Sequence, residues 1–136
     1  MYLLDTNVVS ELRRHRPDPH VAAWIREVPD RSVFLSTLII GEIRKGIENV
    51  RHRDGARART LDLWLEDLRH RYADRVLPVT ADIAEAWGRL SAPHRVPVID
   101  GLLAATALVH DLTLVTRNVK DVRRTGVRLR DPFQPG

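Results

Sequence analysis

The start of the chain constrains its fold more than any other stretch. An apolar run at residues 2–4 meets an acid at Asp5, and two small polar residues follow, Thr6 and Asn7. A short apolar run closed by turn-forming residues is typical of a buried β-strand. Ligands of open α/β sheets bind at the carboxyl ends of the strands. Asp5 is therefore predicted to lie at the mouth of a cleft, where its charge needs a counter-charge.

The length and composition predict one globular domain over residues 1–136. There is no cysteine, so the chain has neither disulfides nor a thiolate metal site. The longest stretches without Asp, Glu, Lys or Arg, 32–41 and 101–110, reach about half a membrane span. Asp5 interrupts the apolar start, so no secretory leader is expected. We therefore expect a cytoplasmic protein.

The basic residues of the chain are almost all arginine. Twenty-two Lys and Arg against 18 Asp and Glu give a net charge of +4, and the only lysines are Lys45 and Lys120. The planar fork of arginine matches phosphate better than the point charge of lysine does. This balance favours a polyanionic partner such as nucleic acid, although a charge of this size also serves solubility.

Apolar periodicity and turn residues predict alternating strands and helices. After the first strand, which ends at Asp5, further strands are predicted at 32–35, 75–79, 112–116 and 127–129. Helical segments are predicted at 8–12, 19–27, 38–50, 56–72, 81–90 and 98–109, with a helical turn within 117–125. Strands separated by helices imply a parallel sheet covered on both faces. The predicted fold is a three-layer α/β/α domain with four to five parallel strands.

Polar side chains that suit chemistry recur at the ends of these elements. Asp5 ends the first strand, Glu42 lies about one turn into a helix, and Asp100 lies in the first turn of another. Asn118 and Asp121 follow the fourth strand. Because parallel strands open their carboxyl ends on one edge, these groups are expected to converge despite their separation in sequence.

Several carboxylates in one place cannot all ionise without a counter-charge. A divalent hard cation supplies it, and oxygen ligands without cysteine or paired histidine favour Mg²⁺ or Mn²⁺ over Zn²⁺. Such an ion lowers the pKa of a bound water and stabilises charge on a phosphoryl oxygen. The pattern therefore predicts hydrolysis of a phosphodiester.

Each acid also has a purely structural interpretation. Asp5 is a suitable cap for the following helical turn, and Glu42 is spaced to pair with Lys45. Asp100 complements the dipole of its own helix, and the polar residues of 117–125 are ordinary turn formers. The common placement of these residues, rather than any one of them, favours the functional interpretation.

Other candidates for chemistry are weaker. The histidines show no metal-ligand spacing, and the glycines form no phosphate loop, which argues against a nucleotide cofactor. Trp24, Trp64 and Trp87 fall one per helix on apolar stripes, so we predict core residues rather than base-stacking platforms.

Four segments of the chain carry a family resemblance. They are LDTNVVSEL at 4–12, GEIRKG at 41–46, DGLLAATA at 100–107 and VTRNVKD at 115–121. Together they resemble the acidic motifs of PIN-domain proteins, in particular the VapC/FitB-like toxins of bacterial type II toxin–antitoxin pairs. The resemblance covers essentially the whole chain, with the motifs in order. It implies a Mg²⁺-dependent endoribonuclease, usually dimeric and inhibited by a co-encoded antitoxin.

The resemblance also implies roles for particular residues. Asp5 and Asp100 match the principal metal ligands, and Glu42 matches the third catalytic acid. The fourth acidic position is open, since some relatives have an acid where this chain has Asn118, whereas others have this Asn with an acid three residues on, here Asp121. An amide is the weaker ligand and cannot act as a base. Three polar residues are candidates for orienting the carboxylates: Thr6, Asn7 and Thr116.

The resemblance implies RNA as substrate, and we expect single-stranded or looped RNA because its bases are unstacked. Arginines would contact its backbone and position the strand. The candidates are Arg13, Arg14, Arg51, Arg53, Arg57 and Arg59. A cognate antitoxin would place an apolar helix in a groove between the early helices and a basic side chain at the acidic site. A homodimer is expected, and a heterotetramer or larger assembly with the antitoxin.

The sequence leaves two alternative functions open, a non-catalytic binding module and an enzyme of another kind. A non-catalytic module that binds RNA or a partner is kept open by Asn118 at the fourth acidic position. A phosphotransferase on the same sheet edge lacks the second acid two residues after Asp5, where Asn7 stands. Binding of Mg²⁺, measured by calorimetry, separates the enzyme from the binding module.

Overall fold

A five-stranded parallel sheet forms the centre of the computed structural model, which describes all of residues 1–136. The strands are β1 (Tyr2–Leu4), β2 (Val33–Ser36), β3 (Val76–Leu77), β4 (Thr113–Val115) and β5 (Leu129–Arg130). Their spatial order is β3-β2-β1-β4-β5, and every neighbouring pair is parallel. The predicted parallel α/β fold is confirmed, with five strands.

Seven helices connect the strands. They are α1 (Thr6–Arg13), α2 (Pro19–Glu27), α3 (Thr37–Arg51), α4 (Gly55–Arg71), α5 (Ala81–Ser91), α6 (Val98–Val109) and α7 (Val119–Val122), with short 3₁₀ turns at Asp30–Ser32 and Arg123–Thr125. From β1 the chain first steps outward to β3 and then crosses back to β4. The connections from β1 to β3 and the connection from β3 to β4 run in opposite directions across the sheet. Because such crossovers are right-handed, α1–α4 lie on one face of the sheet and α5 and α6 lie on the other.

Side-chain caps fix where the main helices begin. Asp18, Ser36, Asp54 and Thr80 each accept a hydrogen bond from a backbone N–H in the first turn of α2, α3, α4 and α5. Residues 8–12, predicted as a short turn, belong to an eight-residue helix because Asp5 caps α1 by accepting from the N–H of Thr6.

The core lies between the sheet and the helices. Leu3, Leu4, Leu35, Leu114 and Val115 of the strands are buried, and they face apolar stripes of the helices. Burying one such side chain contributes about 1.5–3 kcal/mol. No helix combines the length and the apolar character needed to cross a bilayer.

Helices α5 and α6 approach each other closely at Gly101, in the first turn of α6. A Cβ atom at Gly101 would lie 3.1 Å from Cδ1 of Trp87 and 3.4 Å from Oγ of Ser91. The two helices are in tight contact here, and the indole N–H of Trp87 and the hydroxyl of Ser91 are both buried without a hydrogen-bond partner. Gly101 thus sets the position of the α6 turn that carries Asp100.

We expect Gly101→Ala to destabilise the protein by about 1–2 kcal/mol, because overpacking against Trp87 outweighs the gain in helix propensity of up to about 1 kcal/mol. The matched control is Gly88→Ala on α5, where an added Cβ meets nothing within 4 Å. That control should gain up to about 1 kcal/mol. Urea denaturation of both variants measures the difference, and an equal gain in both would show that the α5–α6 contact is loose.

Candidate active site

The pairing of β1 with β4 creates the centre of the site. Leu4 lies beside Val115, so the next residues, Asp5 and Thr116, emerge together at the carboxyl edge of the sheet. The backbone N–H of Asp5 donates to the carbonyl of Val115 at 2.9 Å, and the Thr116 hydroxyl donates to the Asp5 carboxylate at 2.7 Å. The parallel sheet thereby joins residues 111 positions apart in the sequence.

Asp5 is an almost fully buried carboxylate, with 5% of its surface exposed. Besides Thr116, its oxygens accept hydrogen bonds from the Thr6 N–H at 2.7 Å and from the Asn7 amide at 3.3 Å. Burial raises the pKa of Asp5, and the charge of Glu42 raises it further, although these hydrogen bonds lower it. Asp5 therefore caps α1 and also lies in a crowded acidic environment.

Glu42 lies in the second turn of α3 and is held from the opposite side of the cleft. The hydroxyl of Thr6 donates to its carboxylate, so Thr6 links Glu42 to the end of β1. The pairing with Lys45 is not formed, and Glu42 makes no ion pair with any other residue. The structure places Glu42 at the site rather than on a solvated helix face.

Among the acids of the site, Asp100 has the pKa that is shifted furthest from its ordinary value. Burial is the largest cause, and the charges of Asp5, Asp121 and Glu42 add to it in that order, raising the pKa of Asp100 to about 6. Its carboxylate accepts no hydrogen bond from another side chain and lies within reach of no cation. Asp5, Glu42 and Asp121 therefore all lie within electrostatic range of Asp100.

Two residues, Asn118 and Asp121, are candidates for the fourth acidic position of the site. The backbone N–H of Asn118 donates to the Thr116 hydroxyl at 3.0 Å, but its amide side chain makes no capping bond to α7. Asp121, exposed on α7, is the residue whose charge acts on Asp100. Of the two candidates, Asp121 carries the charge that acts on Asp100, and Asn118 contacts the Thr116 hydroxyl through its backbone.

The donor set of the site suits a hard divalent cation. It consists of carboxylates, and none of the four acids is neutralised by Lys, Arg or His in an ion pair. As the side chains stand, no group of three or more His, Cys, Asp or Glu residues could hold a metal ion. Mg²⁺ does not require such a group, because it keeps several waters and binds proteins through few carboxylates.

The predicted RNA-contacting arginines do not share one environment. Arg51 is neutralised by Glu48 at 3.0 Å and by Asp62 at 2.7 Å, so it has little charge to offer a phosphate. Arg14 pairs weakly with Glu11, at 3.5 Å. Four others make no ion pair with a carboxylate: Arg13, Arg53, Arg57 and Arg59. Of these, Arg13 and Arg57 line a groove that reaches the acidic site.

Comparison with known proteins identifies the family of this chain. The model of the PIN domain matches residues 2–127. The chain belongs to the PIN-domain family. The resemblance of its four acidic segments is thereby confirmed for nearly the whole length of the chain.

Several curated relatives match this PIN domain over almost their entire length. It is 32% identical to plasmid stability protein StbB of Pseudomonas syringae pv. tomato, over 98% of this chain and 99% of StbB. It is 31% identical to VapC ribonuclease Y4jK of Sinorhizobium fredii, over 99% of each. It is 30% identical to toxin FitB of Neisseria gonorrhoeae, over 98% of this chain and 99% of FitB.

The solved structure of FitAcB from Neisseria gonorrhoeae contains a chain of the same fold. That chain superimposes on this PIN domain with a TM-score of 0.90 and 30% identity, covering 98% of this chain and 99% of the other. A chain in the structure of FitAB bound to a DNA fragment gives a TM-score of 0.91 at 28% identity.

Proposed function

We propose that this PIN domain is a metal-dependent endoribonuclease that acts as the toxin of a type II toxin–antitoxin system. The observation that carries the proposal is Asp100, a half-buried carboxylate crowded by three other acids and provided with no counter-charge. Relatives of similar length are described as a VapC ribonuclease and a toxin, which supports the same activity.

Asp5, Asp100 and Glu42 would hold a divalent ion, Mg²⁺ or in its place Mn²⁺, directly or through bound water. When bound, such an ion supplies positive charge that lowers the pKa of a water and stabilises the phosphoryl oxygens during hydrolysis. The hydroxyls of Thr116 and Thr6 keep the carboxylates of Asp5 and Glu42 in fixed orientations toward the cleft.

The remaining catalytic acid on this proposal is Asp121. A carboxylate at this position can accept a proton or bind a cation, whereas the amide of Asn118 is a poor ligand and no base. Asn7 assists more weakly, because its amide donates to Asp5 at 3.3 Å and its carbonyl oxygen accepts from the N–H of Arg117. The site thus contains two ordered carboxylates, Asp5 and Glu42, and two that are free to respond to ligands, Asp100 and Asp121.

The proposed partners are RNA and an antitoxin. Solved structures of the same fold include a toxin–antitoxin complex from Klebsiella pneumoniae and VapBC-1 from Haemophilus influenzae. By analogy, a cognate antitoxin would occupy this cleft, bring a basic side chain to the acids and stop cleavage. Uninhibited cleavage of cellular RNA would arrest growth, and dimers or larger assemblies with the antitoxin would form in the cytoplasm.

The activity is tested with purified protein and a labelled single-stranded RNA. We expect cleavage with Mg²⁺ or Mn²⁺, loss of cleavage in EDTA and recovery when the metal is restored, because the acids need a counter-charge. Calorimetric titration of the same protein with Mg²⁺ or Mn²⁺ should give measurable binding. Binding of RNA without metal binding or cleavage would instead establish a non-catalytic RNA-binding module.

A further inference from the structure

A strongly basic pocket lies beside the acidic site. It has a volume of about 500 Å³ and is lined by no hydrophobic residue. Its cationic lining comes from the end of α1, the loop after it and the first turn of α4, and consists of Arg13, Arg14, Arg16 and Arg57. A polar, cationic lining of this kind suits an anion rather than the apolar face of a protein helix.

Three of the four arginines of this pocket have no carboxylate partner. Glu11 is the only acid in the lining, and it is occupied by the backbone N–H of Asp18 at 2.8 Å and by Arg14 at 3.5 Å. Three guanidinium groups are left without an ion pair: those of Arg13, Arg16 and Arg57. Their mutual repulsion would be relieved by a bound anion.

A second groove connects this pocket to the acidic site. The groove has a volume of about 270 Å³ and shares Ser10, Arg13 and Arg57 with the basic pocket. Its other end is lined by Thr6 and Glu42. A chain of phosphates with one member at the acids can therefore continue along the groove into the basic pocket.

Arg13 stands at the junction of the two cavities and is partly preorganised. Its guanidinium lies over the ring of Trp64, 5.6 Å from the ring centre, in cation–π geometry. Trp64 itself is half-buried against the core. Because the aromatic ring restricts the guanidinium, less conformational entropy is lost when Arg13 contacts a phosphate.

We propose that the basic pocket is a phosphate-binding subsite for the backbone of a single-stranded RNA next to the scissile phosphate. Arg13, Arg16 and Arg57 are the phosphate contacts. This inference rests on the proposed nuclease function and deepens it, since it gives the substrate a direction across the protein, from the acids over Ser10 to the loop after α1. Arg51, which is already neutralised, takes no part.

The test measures RNA binding without cleavage. A fluorescein-labelled single-stranded RNA of 12 nucleotides is titrated in EDTA with the full-length parent, Arg16→Ala and Arg57→Ala, at several salt concentrations. We expect each variant to bind roughly three- to tenfold more weakly. The slope of log K against log salt should fall by about 0.7 for each lost contact with a single strand.

Arg26→Ala is the matched control. Arg26 is an exposed arginine of α2 that makes no ion pair and lies outside both cavities. Its removal changes the net charge equally but should leave the affinity and the salt slope close to those of the parent. Equal weakening by Arg57→Ala and Arg26→Ala would overturn the subsite, because net charge alone would then explain binding.

The two proposals fail in different ways. One outcome is that the parent protein binds RNA through Arg16 and Arg57 without cleaving it in Mg²⁺ or Mn²⁺. That result would contradict the nuclease function and support the subsite as an RNA-binding site. A parent that cleaves RNA, with Arg16→Ala and Arg57→Ala binding as tightly as it does, would refute the subsite and leave the nuclease intact.

Discussion

Asp100→Asn is expected to reduce RNA cleavage by roughly a hundredfold or more, because a proposed metal ligand typically supports several kcal/mol of charge stabilisation in the transition state. In EDTA at pH 7.5 the same variant should be at least as stable as the parent. Asp100 accepts no hydrogen bond and pairs with no cation, so the amide gives up only a helix-dipole interaction of at most about 1 kcal/mol, and it removes a crowded negative charge. Single-turnover cleavage and thermal denaturation measure the two effects.

The pH dependence of this stability difference follows from the pKa of Asp100. Burial and the neighbouring acids raise it from an ordinary 3.8 to about 6, so the folded state holds the proton more tightly than the unfolded state does. The contribution of Asp100 to the stability of the metal-free parent therefore falls as pH rises from about 4 to about 6, and this loss is complete above that window. The gain from Asp100→Asn should be about 1 kcal/mol at pH 7.5, since solvent screens a half-exposed group, and should vanish below pH 4.

Asp82→Asn is the control for Asp100→Asn. Asp82 is an exposed acid in the first turn of α5, so it shares the helix position of Asp100 but not its acidic neighbours. The control should cleave RNA as the parent does and lose at most about 1 kcal/mol from the helix dipole. If Asp100→Asn instead loses stability and keeps its activity, Asp100 is a structural helix acid and not a metal ligand.

The helices were largely predictable because their boundaries depend on local chemistry. Pro19–Glu27 and Val98–Val109 begin and end where proline, capping and apolar periodicity predicted. The last strand shows the limit of such reasoning. It was predicted at 127–129 but lies at Leu129–Arg130, because its register is set by pairing with Leu114 and Val115 of β4. That pairing is not encoded in the strand itself.

The sequence predicted where the acids of the site lie, but it did not predict the ion pairs of the surrounding arginines. The rule that parallel strands open on one edge predicted that Asp5, Glu42, Asp100 and Asp121 converge, and the charges of the other three acids raise the pKa of Asp100. The environment of Arg51 could not be foreseen. Its neutralisation by Asp62 depends on how α3 packs against α4, which periodicity does not determine.

Arg75→Met is expected to destabilise the protein by about 3 kcal/mol, which for a chain of this length lowers Tm by roughly 10 °C. Arg75 is the one buried arginine, with 6% of its surface exposed. Its guanidinium donates to the carbonyl oxygens of Asp30, Val33 and Arg71, and it lies 4.7 Å from the ring centre of Tyr72. Methionine fills similar space but leaves these acceptors unsatisfied.

The expected loss follows from what Arg75 connects. It joins the turn before β2 to the end of α4 and to the edge strand β3, whose residues Val76 and Leu77 are too few to hold their own position. A buried arginine that satisfies several carbonyls is costly to remove because each acceptor then lacks a partner in a site with little water. Arg75 contacts none of the four acids, so cleavage measured well below Tm should be unchanged.

Arg31→Met separates this role from a general effect of losing charge. Arg31 lies on the same edge of the molecule and pairs with Asp74 at 3.1 Å, but both side chains are exposed. An exposed ion pair contributes about 0–1 kcal/mol, so Arg31→Met should leave Tm within a few degrees of the parent. Equal losses in the two variants would mean that water replaces the bonds of Arg75, and that the β3 edge is held by its apolar contacts instead.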